Sequence, residues 1–276
     1  MKYDFVVKEI SKELALEMIK KYHYSNTLPK LNKHFLGFFL QEEIVGVITL
    51  GWGTRPKHTI KKLFPSLDTH DYFEIGRMCM TEEMPKNSET QMISECKKWI
   101  KKNCPDIKIL FTWADGIQGK PGYVYQASNF YYCGYSESDI YLMDGIKIHP
   151  RQTRALFIKD SNDTRKSIRP TFEQMQEKNI IHIKGKQFRY ITFLCSKNEK
   201  RKLIRECLVD LNMSYPKQED IKWKIQTGKG IWEETEEQPF YKTDFSILER
   251  NGIDKYFLDN ENEDLFSMVK KMENIE

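Results

Sequence analysis

Apolar residues along this chain fall into two rhythms, and the switches between them predict its elements. Phe5 to Ile10 predicts a strand. Ser11 then opens SKELALEMIKKYHY, where Leu14, Met18 and Ile19 recur at helical spacing. Pro29 forbids its continuation. His34 to Leu50 predicts a hairpin, HFLGFFL and IVGVITL about a turn at Gln41-Glu42-Glu43. Thr54 to Leu67 has little periodicity and predicts a loop. Asp71 to Met80 predicts a strand with Gly76 inside it, a position that signals a bulge or a close backbone approach. Ser88 opens the next helix, SETQMISECKKWIKKN, and Gln91 three residues on matches a capping box. Asp106 to Trp113 predicts a buried strand, Tyr123 to Cys133 a helix, and Ser138 to Met143 a strand turning at Asp144-Gly145. Residues 160–187 are polar, with helical character at TFEQMQEK. Arg189 to Leu194 predicts a strand and Asn198 to Leu211 a helix.

Strands alternating with helices predict an α+β (mixed α/β) fold with a central mixed sheet flanked by helices. Length adds a boundary. The 276 residues suffice for a body over 1–216 and a C-terminal extension over 217–276. That extension carries Trp223, Trp232, Phe240, Tyr241, Phe245, Tyr256 and Phe257, so it is expected to fold or dock. No apolar run approaches the roughly 20 residues that span a bilayer, and no signal-peptide h-region is present. The six cysteines are far apart with no C-x-x-C pair, which predicts reduced thiols of an intracellular protein.

Charge changes the picture further. The extension holds 9 of the 44 basic and 15 of the 40 acidic residues, a net of −6, so residues 1–216 carry +10. A basic body fits a polyanionic partner, although a lysine-rich surface alone would look the same. Two basic groups stand out. One is Arg55, Lys57, Lys61 and Lys62, with Trp52 beside them; the other includes Arg151 and Arg154. Basic residues among aromatics suit phosphates and stacked bases, and also suit a solvated loop.

The chemistry concentrates between Ile107 and Tyr135, IKILFTWADGIQGKPGYVYQASNFYYCGY. A buried strand delivers Asp115 to a glycine-rich turn, and a polar-lined helix follows. Open α/β sheets build their sites outside the carboxyl ends of strands in this way. Elsewhere, Tyr22-His23-Tyr24-Ser25-Asn26 gathers phenols, an imidazole and an amide at a helix exit. Asn87 and Ser88 at a helix start offer free N–H groups to an anion. Each has a plainer reading as a capped helix end.

The element order resembles the GNAT acyltransferase fold, and Asn129-Phe130-Tyr131-Tyr132-Cys133-Gly134-Tyr135 resembles the end of that fold's fourth helix. That likeness implies a pantetheine arm along Asn129, a tyrosine acid at Tyr131 or Tyr132, and a general base at Glu74 on a bulged strand. The turn that holds pyrophosphate in those enzymes is glycine-rich. Here it reads Met80-Thr81-Glu82-Glu83-Met84-Pro85-Lys86-Asn87-Ser88, with no glycine and two acids, which argues against ordinary acetyl-CoA use.

A narrower resemblance covers about 1–217. His23-Tyr24 with a following proline, the arginine strand running into Pro85-Lys86-Asn87-Ser88-Glu89, Trp113-Ala114-Asp115, Tyr125-Gln126-Ala127-Ser128-Asn129, Arg189-Tyr190 and Tyr215-Pro216-Lys217 are similar, in order, to the Mom family of phage DNA-modification proteins. This resemblance implies transfer of a carbamoylmethyl group to adenine N6 in double-stranded DNA, protecting it from host restriction. It implies a phage-encoded protein acting in the host cytoplasm, and iron held at His23, Tyr24, Asp115 and Tyr125. Phenolates, carboxylates and imidazole are suitable iron ligands. A flipped adenine needs stacking partners, and Trp52, Trp113 and Tyr125 are candidates. The residues leave open a conventional acyl-CoA N-acyltransferase and a non-catalytic DNA-binding module, and also the group donor and the oligomeric state, a homodimer included.

Overall fold

The computed structural model describes residues 3–24, 28–53, 55–143, 146–148 and 170–239. Asp144-Gly145, Arg151, Arg154 and residues 240–276 lie outside them. The fold is mixed α/β. Two compact units form, one from 1–114, 120–135 and 188–216, the other from 115–119, 136–187 and 217–276.

The first unit begins with β1 (Val6–Glu9) and α1 (Lys12–Tyr22). Ser11 caps α1 by accepting from Leu14 N at 3.1 Å. The hairpin β2 (Asn32–Leu40) and β3 (Glu43–Gly51) turns at Gln41, whose φ is 56°. The expected basic loop holds a helix, α2 (Pro56–Lys61). Proline suits a first helical position, and Ile60, Leu63 and Phe64 bury its inner face. Then come β4 (Tyr72–Met80), α3 (Ser88–Asn103) and β5 (Ile109–Asp115).

The expected capping box of α3 is absent. Asn87 takes the N-cap position in the left-handed region, with φ 75°. Ser88 is inside the helix and donates to Pro85 O at 2.6 Å. Gln91 Oε1 instead accepts from Tyr3 N at 2.8 Å. The fourth helix is also shorter than expected. α4 spans only Tyr123–Ala127, because Asn129 turns left-handed at φ 57° and β6 (Tyr131–Met143) starts two residues later. After β7 (Ile146–Ile148) and α5 (Phe172–Glu177), β8 (Ile180–Phe193) and α6 (Lys197–Glu206) complete the elements through residue 216.

Within the first unit the strand order is β1-β2-β3-β4-β5, then the ends of β8 and β6. β1 to β4 are antiparallel, whereas β4 and β5 are parallel from Tyr72↔Ile109 to Ile75↔Thr112. The β3–β4 register slips as predicted at Gly76. Thr49 pairs Arg77 while Leu50 pairs Ile75. Thr49 Oγ1 accepts from Arg77 N at 2.9 Å inside this bulge. A Cβ on Gly76 would stand 2.8 Å from Pro29 Cγ and 3.0 Å from Thr49 Oγ1, so only glycine fits. The slip also resets the side-chain alternation. Glu74, opposite Gly51, projects on the same sheet face as Cys79, opposite Val47. α1 packs there through Ala15, Met18 and Ile19. Further along, α2 and α6 cover Tyr72, Ile109, Phe111 and Ile191.

In the second unit, β9 (Trp223–Gly228) and β10 (Ile231–Thr235) form a hairpin. β9 pairs β8 at Ile183↔Ile225. His182 bridges Asp139 Oδ1 and Gln226 Oε1, each at 2.9 Å. Trp223 Nε1 donates to Ile117 O at 3.0 Å. The start of the acidic extension is thus folded. All six cysteines are unpaired. Among the described residues no helix is long and apolar enough to cross a membrane.

Candidate functional site

The parallel pairing of β4 and β5 ends at Ile75↔Thr112, and the candidate residues of the first unit gather near that point. Glu74 is the expected base. The residue is 9% exposed, and burial pushes its carboxyl up to about 7 against the opposing pull of Arg77. Gly53, at φ +67°, lets the backbone pass against this carboxylate where any Cβ would overlap it. Beside it, Tyr72 donates to Trp52 O at 3.0 Å and Pro56 O at 3.1 Å. Burial, then the Glu74 charge, raises the Tyr72 phenol far above its ordinary range. Trp52 and Trp113 pack against the same core cluster. The indole Nε1 of Trp52 is buried with no hydrogen-bond partner. A buried carboxyl poised near neutrality can accept a proton from a group brought to it.

Tyr125 lies elsewhere. Thr112 pairs with Ile75, one position on from Glu74↔Phe111, so it faces the opposite side of the sheet. The Thr112 hydroxyl acts on the Tyr125 phenol and opposes the rise that burial causes, yet Thr112 Oγ1 makes no hydrogen bond of good geometry. Thr112 Oγ1 is thus a buried group without a hydrogen-bond partner. Native interiors keep few of these, and those at sites commonly meet a ligand. Asn32 Oδ1, beside Gly76, is another.

A network invisible in sequence order holds the turn before α4. Gln126 Nε2 donates to Tyr190 Oη at 3.0 Å and to Pro216 O at 2.9 Å. Tyr190 donates to Pro121 O, and Tyr215 to Phe130 O at 2.6 Å. Gly122, at φ +94°, packs so closely under the Tyr190 ring that a Cβ would approach it to 2.6 Å. The Tyr125-Gln126, Arg189-Tyr190 and Tyr215-Pro216 motifs are therefore parts of one clamp.

The sequence model of the Mom protein family matches residues 4–217. A relative, methylcarbamoylase mom of Escherichia phage Mu, is 33% identical over 195 residues, covering 71% of this chain and 78% of that protein. The chain belongs to the Mom protein family. Among solved structures, a Bacillus subtilis acetyltransferase in complex with CoA aligns over 70% of this chain and 100% of its own, at 11% identity and a TM-score of 0.37. A GNAT family acetyltransferase from Elizabethkingia anophelis with acetyl-CoA bound aligns over 70% and 99%, at 12% identity and 0.34.

The residues expected to hold iron in this Mom-family chain have distinct surroundings. His23 and Tyr24 stack at 4.3 Å at the end of α1. Lys120 Nζ stands 3.9 Å from the Tyr24 ring centroid, a cation–π contact. Tyr125 is buried, and that burial raises its phenol above the ordinary range. Asp115 ends β5 with Oδ1 buried and unpartnered, which does suit a cation or a donor. Among the described residues no three His, Cys, Asp or Glu side chains are grouped to hold a metal.

The remaining expected residues are placed as follows. Asn87 and Asn129 are exposed at left-handed turns, and Ser88 is buried. Tyr131 is half-buried against the α2–α6 core, with Lys200 Nζ 5.1 Å from its ring. Arg55, Lys57 and Lys62 are exposed, while Lys61 Nζ reaches Pro65 O at 3.3 Å. Sequence reasoning missed Thr112, Lys120 and Lys97. Lys120 could have been found as the one cation of the Gly116–Gly122 turn. Lys97, whose Nζ donates to Ser128 O at 2.9 Å, carried no signal beyond a polar position in a helix.

Proposed function

We propose that this protein is a transferase that modifies DNA, placing a carbamoylmethyl-type group on adenine N6 of double-stranded DNA and so shielding phage DNA from host restriction in the host cytoplasm. The observation that carries this reading is the family match over 4–217 together with a relative named methylcarbamoylase. The geometry supports it. The amine of adenine is a weak nucleophile, and a base near pH 7 suits its activation. As the new N–C bond forms, the bond from the carbamoylmethyl carbon to its donor breaks, the electron pair leaves with the donor, and Glu74 accepts the proton lost from the amine. Trp52 and Trp113, packed against one core cluster, serve as stacking surfaces for a base turned out of the duplex. Tyr125, neutral and buried, serves as a hydrogen-bond donor on the other side of the sheet.

The test is direct. The full chain is expressed, host DNA is digested to nucleosides, and adenosine products are measured by mass spectrometry. A new adduct of carbamoylmethyl mass on deoxyadenosine is expected. Unmodified adenine alongside folded, soluble protein would overturn the reading.

A conventional acyl-CoA N-acyltransferase remains the second reading, because β4 and β5 stop pairing at Ile75↔Thr112 and leave strand ends apart from each other's ladder. The glycine-free turn before α3 opposes it. Calorimetric binding of acetyl-CoA at micromolar affinity would favour it.

A further inference from the structure

We infer that α6, together with α2, forms the surface that holds the phosphate backbone of duplex DNA. The choice of partner rests on the function proposed above; the surface itself rests on charge and packing. α6 reads KNEKRKLIRE and buries only Leu203. Leu203 shares a core cluster with Ile60, Leu63 and Phe64 of the α2 segment. Leu208 N donates to Leu63 O at 2.9 Å, so the two segments are tied by backbone as well.

The acids of α6 are turned away from its cations. Glu199 Oε1 lies 3.3 Å from Lys108 Nζ, which also holds Asp71 at 3.0 Å. Glu206 Oε1 accepts from Ser66 Oγ. Lys197, Arg201, Lys202 and Arg205 are exposed, and among the described residues none of them meets a carboxylate. Exposed lysines and arginines on an ordinary helix find i,i+4 acidic partners. Here the acids pair with Lys108 and Ser66, and the exposed positions from Lys197 to Arg205 are four cations, Asn198 and Ile204, with no acid among them. Arg55, Lys57 and Lys62 of the α2 segment are also exposed and extend the same sign of charge.

The spacing fits a polyanion with a regular repeat. Lys197, Arg201 and Arg205 follow at four-residue steps, so they span roughly 12 Å along the helix at about 1.5 Å per residue. One DNA strand presents a phosphate about every 3.4 Å of axis, so this ridge covers three to four of them. The surface also has a useful place. α2 and α6 cover the sheet face on which Glu74 projects, with Trp52 and Trp113 packed on the same cluster. A duplex held there lies on the side of the proposed base.

The test measures binding of the full chain to a 30-base-pair duplex by fluorescence anisotropy over a salt series. The variant is Lys197→Gln/Arg201→Gln/Lys202→Gln/Arg205→Gln. The control neutralises four exposed lysines of other helices, Lys12→Gln/Lys20→Gln/Lys101→Gln/Lys102→Gln. Each lost phosphate contact reduces the slope of log K against log salt by about one. The α6 variant is expected to lose two or more from that slope and at least tenfold in affinity at low salt, with the control changing by less than half as much. Wild-type affinity and slope in the α6 variant, equal losses in the control, or no salt-dependent binding by the wild type would each overturn the inference. Circular dichroism melting checks the fold; if the quadruple variant melts early, Arg201→Glu is read by the same criteria. Nucleoside analysis separates the two claims. An adenine adduct with α6 indifferent to binding removes this inference alone. Binding through α6 with no adduct removes the proposed chemistry alone.

Discussion

Replacing Glu74 by glutamine should make the protein more stable and less active, and the stability gain should depend on pH in one direction. The carboxyl is held at about 7 in the fold, against 4.5 when unperturbed. Its cause is burial, which disfavours the charged form. A raised folded value means that the native state binds a proton more tightly than the unfolded chain does. Stability from this group is then fully present below about pH 4.5 and is lost as pH rises through about 7. The difference between the two values corresponds to about 3 kcal/mol at most. Glutamine keeps the shape and cannot ionise. Glu74→Gln should therefore match the wild type at pH 4.5 and exceed it by up to about 3 kcal/mol at pH 8 and above. Urea unfolding at half-unit steps between pH 4.5 and 9 reads this difference. A gain that is flat with pH, or that grows toward acid, would refute the argument from burial. In the same variant DNA modification should fall by about 10²- to 10⁴-fold, and the wild-type rate should climb with pH through about 7.

Other variants address neighbouring parts. Tyr125→Phe should shift stability by no more than about 1 kcal/mol while lowering adduct formation at least ~10²-fold, since it removes one hydroxyl from a packed ring; thermal melting and nucleoside analysis check both halves. Gly122→Ala places a Cβ 2.6 Å from the Tyr190 ring on a residue at φ +94°, so chemical denaturation should show a loss of ~2 kcal/mol or more. Lys97 is pulled down to about 8, chiefly by burial. A lowered lysine contributes stability above its ordinary pKa that is lost as pH falls through about 8, so Lys97→Met should stabilise the protein by roughly 1–2 kcal/mol at pH 7, after the lost bond to Ser128 O is set against it, and by nothing near pH 11.

Several of these features were legible in the sequence because their causes are local. The β2–β3 hairpin follows from two alternating runs, and the Gly76 bulge from a glycine inside a strand. Ser11 caps α1 as its position implies. Where a local rule competed with a longer-range one, the local rule lost. Ser88 and Gln91 have capping-box spacing, but Asn87 turned left-handed and Gln91 bonded Tyr3 across 88 residues. The helix expected over Tyr123–Cys133 stops early because Asn129 leaves helical space and Tyr131 joins the sheet. The clamp on the turn could not be seen at all. Its partners, Gln126 with Tyr190 and Tyr215 with Phe130, are separated by 64 and 85 residues. The basic face of α6 was hidden for a related reason. The sequence shows acids among its cations, and only the fold shows that Glu199 and Glu206 are occupied elsewhere.

The slip at Gly76 means that β4 is spliced from two segments of opposite phase. Residues before it and after it each obey strict alternation, but the phase changes at a single position. Substitution within either segment is absorbed locally. Deletion of Gly76 would leave both ladders paired and Glu74 opposite Gly51, whereas a one-residue slip of the segment before it would carry Glu74 through the sheet to the side of Thr112. The register of the segment before the splice is therefore a stricter requirement on the site than its composition, because that register alone decides which side of the sheet holds the acid.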